Sequence, residues 1–258
     1  MLAPLLVPVL LGTAATIAET PLTCQVTPRV IEMDAFYTGA NVKVEGMAAP
    51  GSKIVVLVTG SESEESFNRK ARFGPVWINS GKVRISGVPR LFLRFSPEPV
   101  ANLLSRETIG GHLLDPTSVM ARMCIQPAPP AAADDAAIRR DYLALKQSRG
   151  TYTLGDRSVT MGSDADCAWY RLEFHWPKKA PPATYRVHVF EVRNGSIGRQ
   201  VSVPLAVAPA GLPARIANLA EDHAASYGIA AVLIGVLAGF GIDLLATRVF
   251  RRKRVVAH

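Results

Sequence analysis

Catalytic signatures are what this 258-residue sequence most conspicuously lacks. It has no Gly-x-Ser-x-Gly elbow, no His-Glu-x-x-His pair, no glycine-rich phosphate loop and no close carboxylate pair beside a histidine. The common local signals of nucleophilic, zinc-dependent and nucleotide-dependent catalysis are therefore missing, and the expectation is a non-enzymatic protein that needs no cofactor. Cysteine is scarce, at three residues, which excludes a small scaffold stapled by disulfides. Charge is absent from two stretches, everything before Glu19 and everything from Ala224 to Ile242.

Those two uncharged stretches set the organisation. The first, MLAPLLVPVLLGTAATIAETP, is apolar, too short to span a bilayer, and offers small-x-small sites at Thr13-Ala14-Ala15 or Thr16-Ile17-Ala18. It reads as an export signal over residues 1–18, with an uncleaved N-terminal anchor as the competing reading. Thr23 before Cys24 matches poorly the small residue that lipidation sites use. The second stretch, extended to residues 224–247, supplies the roughly 20 apolar residues a transmembrane helix needs. Arg248, Arg251, Arg252, Lys253 and Arg254 follow it. A basic block flush against an apolar helix places residues 248–258 in the cytoplasm. Much of the net charge of +8 lies in that tail, so it is no footprint for nucleic acid. Residues 19–222 then form a periplasmic domain on a single-pass tether in a bacterial inner membrane, or the lumenal equivalent.

Within the tether, Ala231, Gly235 and Gly239 recur every fourth residue and Asp243 continues the same line. Small residues at this spacing let membrane helices approach closely, and a carboxylate in the membrane pairs or faces protein. The alternative is a plain anchor whose Asp243 reaches the headgroups or a base such as Arg248.

The exported part alternates with period two. NVKVEGMA and KIVVLVTG flank the turn APGS and read as a hairpin; PVWIN and KVRISGVP flank Asn79-Ser80-Gly81; RLFLRFS follows. Later come GTYTL, SVTM, CAWYRLEFHWP and two long runs joined by Asn194-Gly195, a strong hairpin signal. Ser96, Pro97 and Glu98 open a predicted helix to about Arg106, and a second covers about Asp134 to Ser148, ended by Gly150. The fold class expected is mainly β, an Ig-like β-sandwich with a helical insert at about 96–148 on one edge.

Few residues carry chemistry. Cys124 and Cys167 pair as a disulfide or stay as buried thiols, since spacing alone cannot fix connectivity. Met120, Met123 and Cys124 are soft donors close in sequence, the kind copper(I) favours, though methionine is also common core filler. His175 and His188 fall on strands among aromatics, and His112 follows a Gly-Gly pair. Arg69, Lys70 and Arg72, just before Trp77, form a basic-aromatic group beside the acidic run Glu62, Glu64 and Glu65. This group is either a surface for an anionic partner or one half of a mutual neutralisation.

The segments FYTGANVKVEG, NRKARFGPVWINSGKVRISGVPRLFLRFSP, DYLALKQSRGTYTL and WYRLEFHWPKKAPPATYRVHVFEVRNGS, with the final helix, resemble the alphaproteobacterial putative transmembrane protein family over nearly the whole chain. The chain departs from that pattern at Lys70-Ala71-Arg72, where the family favours Lys-Glu-Arg, and at Leu91-Phe92, where it has an aromatic pair. The resemblance implies an exported domain on one C-terminal membrane helix. Through neighbouring genes it also implies an integral membrane partner such as a sulfite-exporter-like permease. Two functions stand at this point. One is a tethered accessory protein contacting its partner through Arg69, Lys70, Arg72, Trp77, Gly235, Gly239 and Asp243. The other is a periplasmic ligand- or metal-binding protein for an anion or copper.

Overall fold

The computed structural model describes residues 20–127, 132–163 and 167–251. The expected export signal, residues 1–18, lies outside them, as do residues 252–258 of the basic tail. Strands dominate and are arranged in three sheets, followed by one long C-terminal helix.

The outer sheet has the order β1-β3-β11-β10 and is antiparallel, built from β1 (Gln25–Thr27), β3 (Ala40–Ala48), β10 (Thr160–Ser163) and β11 (Ala168–Trp176). The central sheet has the order β2-β13-β12-β4-β7-β9. Its strands are β2 (Val30–Met33), β4 (Lys53–Thr59), β7 (Phe92–Ser96), β9 (Tyr152–Asp156), β12 (Ala183–Arg193) and β13 (Ser196–Pro209). A third, three-stranded sheet joins β5 (Glu65–Phe73), β6 (Val76–Ser86) and β8 (Cys124–Gln126).

Apolar patterning explains the layering. β4 is apolar at consecutive positions, and both of its faces are covered: Ile54, Val56 and Val58 enter one core cluster, Val55 and Leu57 the other. A strand with no polar face belongs in the middle of a domain. The first core is the expected sandwich, with Val42, Val44, Tyr170 and Leu172 of the outer sheet against the central one. At its heart Trp176 and Tyr185 meet edge to face, with ring centroids 4.8 Å apart. The second core lies on the other face of the central sheet. There Phe92 and Phe190 pack against Leu103, Leu114, Met120, Ile125 and Tyr142. The helical insert therefore covers a face of the sandwich instead of hanging on an edge, and adds a third layer.

The insert consists of α1 (Val100–Leu103), α2 (Arg106–Gly111), α3 (Pro116–Ala121) and α4 (Ala132–Ser148), with β8 between α3 and α4. Ser96 does not cap a helix. It is the fully buried last residue of β7, and its hydroxyl bonds Asp156 Oδ1 at 3.1 Å. The cap is instead Ser105, whose Oγ accepts from Thr108 N at 3.2 Å at the start of α2. The second predicted helix is found as α4, and Gly150 follows it at φ +69.

Two turns differ from their expected roles. APGS, with Gly51 at φ +74, does not close a hairpin: β3 and β4 belong to different sheets, so this turn carries the chain between layers. Asn79-Ser80-Gly81 lies inside β6, where the register against β5 shifts next to Gly81. It is a bulge, and the hairpin turn is at Gly74-Pro75. Asn194 and Gly195 do close the β12–β13 hairpin, both with positive φ, which is the geometry a two-residue type I′ turn requires.

The sequence leaves Cys124 and Cys167 as either a disulfide or buried thiols; in the structure Cys24, Cys124 and Cys167 are free thiols, with Cys124 exposed and the other two half-buried. Cys124 is exposed on β8 in the third layer, whereas Cys167 precedes β11 in the outer sheet. The central sheet stands between those layers.

Candidate functional site

The tether is α5 (Gly211–Asp222), His223 and α6 (Ala224–Arg251). The segment Ala224–Thr247 of α6 is long and apolar enough to cross a membrane, and none of it is buried within the protein. Its 24 residues extend about 36 Å at helical rise, against a hydrocarbon core of about 30 Å. Around Gly235 and Gly239 the space that a Cβ would enter is empty to 4 Å. Asp243 is exposed, and its backbone carbonyl accepts from Thr247 Oγ1 at 2.8 Å. The small-residue line thus forms an open strip along the helix.

Arg69, Lys70 and Arg72 fall on β5 and Trp77 on β6. By backbone register Arg72 stands opposite Trp77, Lys70 opposite Asn79 and Arg69 opposite Gly81. The group therefore belongs to the distal half of the hairpin. β5 begins at Glu65 and runs nine residues to the turn, about 30 Å of strand. The hairpin half and the α6 strip are separate places on the protein. Of the acidic residues nearby, Glu64 pairs with Arg84 at 3.2 Å and Glu65 with Lys146 at 2.6 Å.

That last pair belongs to a cleft of about 460 Å³ with no precedent in sequence spacing. Glu65 from β5, Arg90 from the β6–β7 loop, Lys146 and Arg149 from the end of α4, and Lys179 from the β11–β12 loop converge there: four cations and one carboxylate. Lys146 is the buried member. Its Nζ donates to Glu65 Oε1 and, at 3.3 Å, to the Arg90 carbonyl, and it lies over the rings of Tyr142 and Tyr152. Burial draws the ammonium below the usual lysine value while Glu65 opposes that shift. Arg90 Nε donates to Ser63 Oγ at 2.6 Å, and Arg149 and Lys179 make no ion pair among the described residues. The one signal visible in sequence was the Lys178-Lys179 pair in its proline-bounded loop.

A second cleft of about 350 Å³ opens where the insert stops short of covering β12 and β13. Phe190 lies on its floor, with His188 stacked at 6.2 Å and His112 edge-on at 5.8 Å. His188 Nδ1 is 2.7 Å from Ser202 Oγ, its partner across the hairpin. Burial, with help from Arg186, lowers the affinity of this imidazole for a proton. Among the described residues no carboxylate hydrogen-bonds the His188 ring, so serine and histidine meet here without the third member of a triad.

The soft donors do not gather. Met120 and Met123 are buried in the second core, while Cys124 faces solvent. His175 is held by Asn41 Oδ1 at 3.0 Å and lies near the Thr38 carbonyl at 3.4 Å. Among the described residues no three His, Cys, Asp or Glu side chains are grouped to hold a metal ion.

No curated protein and no solved structure matches the chain. Residues 21–252 match the model of the family described as Putative transmembrane protein (Alph_Pro_TM), a span that takes in both the layered domain and α6, and the chain belongs to that family.

Proposed function

We propose that this protein is a membrane-tethered accessory component without catalysis, whose layered domain stands on the periplasmic side of a bacterial inner membrane and which assembles there with an integral membrane partner. The observation that carries the reading is the open strip on α6: Ala231, Gly235 and Gly239 in line with Asp243, on a helix none of whose span is buried by its own domain. In lipid, helices associate by close backbone packing and interhelical hydrogen bonds, since apolar contact with a neighbour is no better than contact with acyl chains. A strip of glycines gives the close approach. Asp243 gives a polar group whose hydrogen bond to a partner helix contributes about 1–2 kcal/mol. The basic block that follows the apolar span Ala224–Thr247 supports a cytoplasmic C-terminus. A multi-span permease is the class of partner that suits a single helix of this kind.

The experiment is covalent crosslinking in native membranes from Cys introduced at Ala231 in the full-length chain, read by mass spectrometry. One multi-span protein should be captured, and Gly235→Leu with Gly239→Leu should abolish capture without lowering the amount of chain in the membrane. Capture that is indifferent to both substitutions would leave α6 as an anchor only and end this reading.

A further inference from the structure

The strand register determines which end of the domain the tether leaves. β13 ends at Pro209 and passes the chain to α5 through Ala210. Ala183, the first residue of β12, stands opposite Val207; Thr59, the last of β4, opposite Arg186; Phe92, the first of β7, opposite Thr59; and Tyr152, the first of β9, beside Phe92. β2 ends at Met33 beside Pro209. Loops 34–39, 60–64, 87–91, 149–151 and 177–182 consequently all sit at the end from which the tether departs. α5 has 12 residues, so it holds that end within about 18 Å of the start of α6.

Three of these loops build the basic cleft, contributing Arg90, Arg149 and Lys179. A fourth carries Phe36, 89% exposed on a short loop in which Asp34 Oδ1 accepts from Phe36 N at 2.9 Å. An aromatic side chain presented this fully to solvent has no packing role within the domain. α5 itself exposes Ile216 and Leu219. The loops at this end carry the carboxylates Asp34, Glu62 and Glu64, with Glu65 at the start of β5, Glu32 at the end of β2 and Glu221 and Asp222 on α5; Glu64 and Glu65 are held by Arg84 and Lys146. Among the described residues Arg90, Arg149 and Lys179 make no ion pair, and they lie on the side from which the chain leaves for α6.

We propose that this end of the domain seats on the bilayer surface, the cleft of Arg90, Arg149 and Lys179 taking the phosphate of an anionic phospholipid headgroup while Phe36 enters the interface. Guanidinium groups suit phosphate oxygens because they donate in pairs. Bases near an anionic leaflet are attracted over roughly one Debye length, each strengthening association about fivefold. Apolar and aromatic residues flanking such bases enter the headgroup boundary. The seat fixes the orientation of the domain above the membrane, and it rests on α6 as the membrane-spanning segment.

The test is hydrogen exchange on the full-length protein in nanodiscs of phosphatidylcholine alone and of phosphatidylcholine mixed with phosphatidylglycerol. In the mixed lipid, amides of loops 34–39, 87–91 and 177–182 should exchange at least about fivefold more slowly, and added salt should remove the protection. Arg90→Glu, Arg149→Glu and Lys179→Glu together should remove it too, whereas Arg140→Glu on the exposed face of α4 should not. Equal exchange in the two lipids overturns the seat. So does protection of the same loops by inorganic phosphate in detergent, because the cleft would then be a site for the free ion. Release of the chain from vesicles by alkaline carbonate would instead remove the anchor, and the seat with it.

Discussion

Arg199 Nε donates to Glu191 Oε2 at 2.5 Å, across a hairpin in which the two residues are directly opposed. The carboxylate does more than close that pair. Its Oε1 accepts from Ala49 N at 3.1 Å, in the turn that carries the chain from the outer to the central sheet, and also from Arg193. One buried side chain thus pins the crossover between layers to the β12–β13 hairpin. Glu191→Ala removes at once the carboxylate bonded by Arg199, Arg193 and the Ala49 amide and is expected to cost about 3–5 kcal/mol. Arg199→Ala should cost about 1.5–3 kcal/mol, since Arg193 still faces the carboxylate. Urea denaturation of the full-length protein in mild detergent measures both.

The same carboxylate makes stability fall in acid. Burial pushes the Glu191 proton affinity up, but hydrogen bonds from Arg199, Ser52 and the Ala49 amide, with the Arg199 charge, hold it below the ordinary value. As pH drops, the unfolded chain takes the proton first. The contribution is therefore complete above the usual glutamate value of about 4.3 and is lost as pH falls from there through the lower folded value. Denaturation midpoints compared at about pH 6 and about pH 3 should drop more in the wild type than in Glu191→Gln.

The sandwich was legible because its signals are local. Val42 and Val44 alternate with polar neighbours, and Asn194-Gly195 can adopt the left-handed conformations a tight hairpin needs, so those elements stand where the sequence placed them. Pairing is not local. APGS has turn chemistry whether the next strand folds back beside β3 or crosses to another layer, and what decides is that Ile54 to Val58 need cover on both faces. Ser96 before Pro97 has the look of a cap, yet Phe92 to Ser96 are all buried and remain a strand. The parallel pairings of β2 with β13 and β7 with β9 join segments far apart in sequence and leave no mark on periodicity. The basic cleft was hidden for the same reason, because Glu65, Arg90, Lys146 and Lys179 come from a strand, a helix and two loops far apart in sequence.

Lys146 is the structural member of that cleft. Lys146→Ala deprives Glu65 of a bond at 2.6 Å and the Arg90 carbonyl of one at 3.3 Å, and should destabilise the protein by about 1.5–3 kcal/mol. Adding Glu65→Gln to Lys146→Met should recover part of the loss, since the uncompensated carboxylate is then gone. Thermal melts of the two single variants and the double give the coupling directly.

Thiol chemistry checks the layering. Denatured, unreduced protein should react with three equivalents of maleimide, as expected of three free cysteines. In the native state Cys124, exposed on β8, should be modified first. Cys24 should lag, because burial raises its thiol above the usual range. Mass spectrometry of a labelling time course reads the order. Early loss of Cys124 and Cys167 together into one crosslinked product would contradict the arrangement of the sheets.

β13 is bonded on both sides, to β12 from Val207 back to the hairpin and to β2 from Ala206 to Pro209, and it is also the strand that runs out into the tether. Tension arriving from the membrane helix is therefore directed along its axis. Both ladders are loaded in shear, so many hydrogen bonds must fail together instead of opening one after another from an end. The domain is mechanically strongest in the direction in which its own anchor pulls.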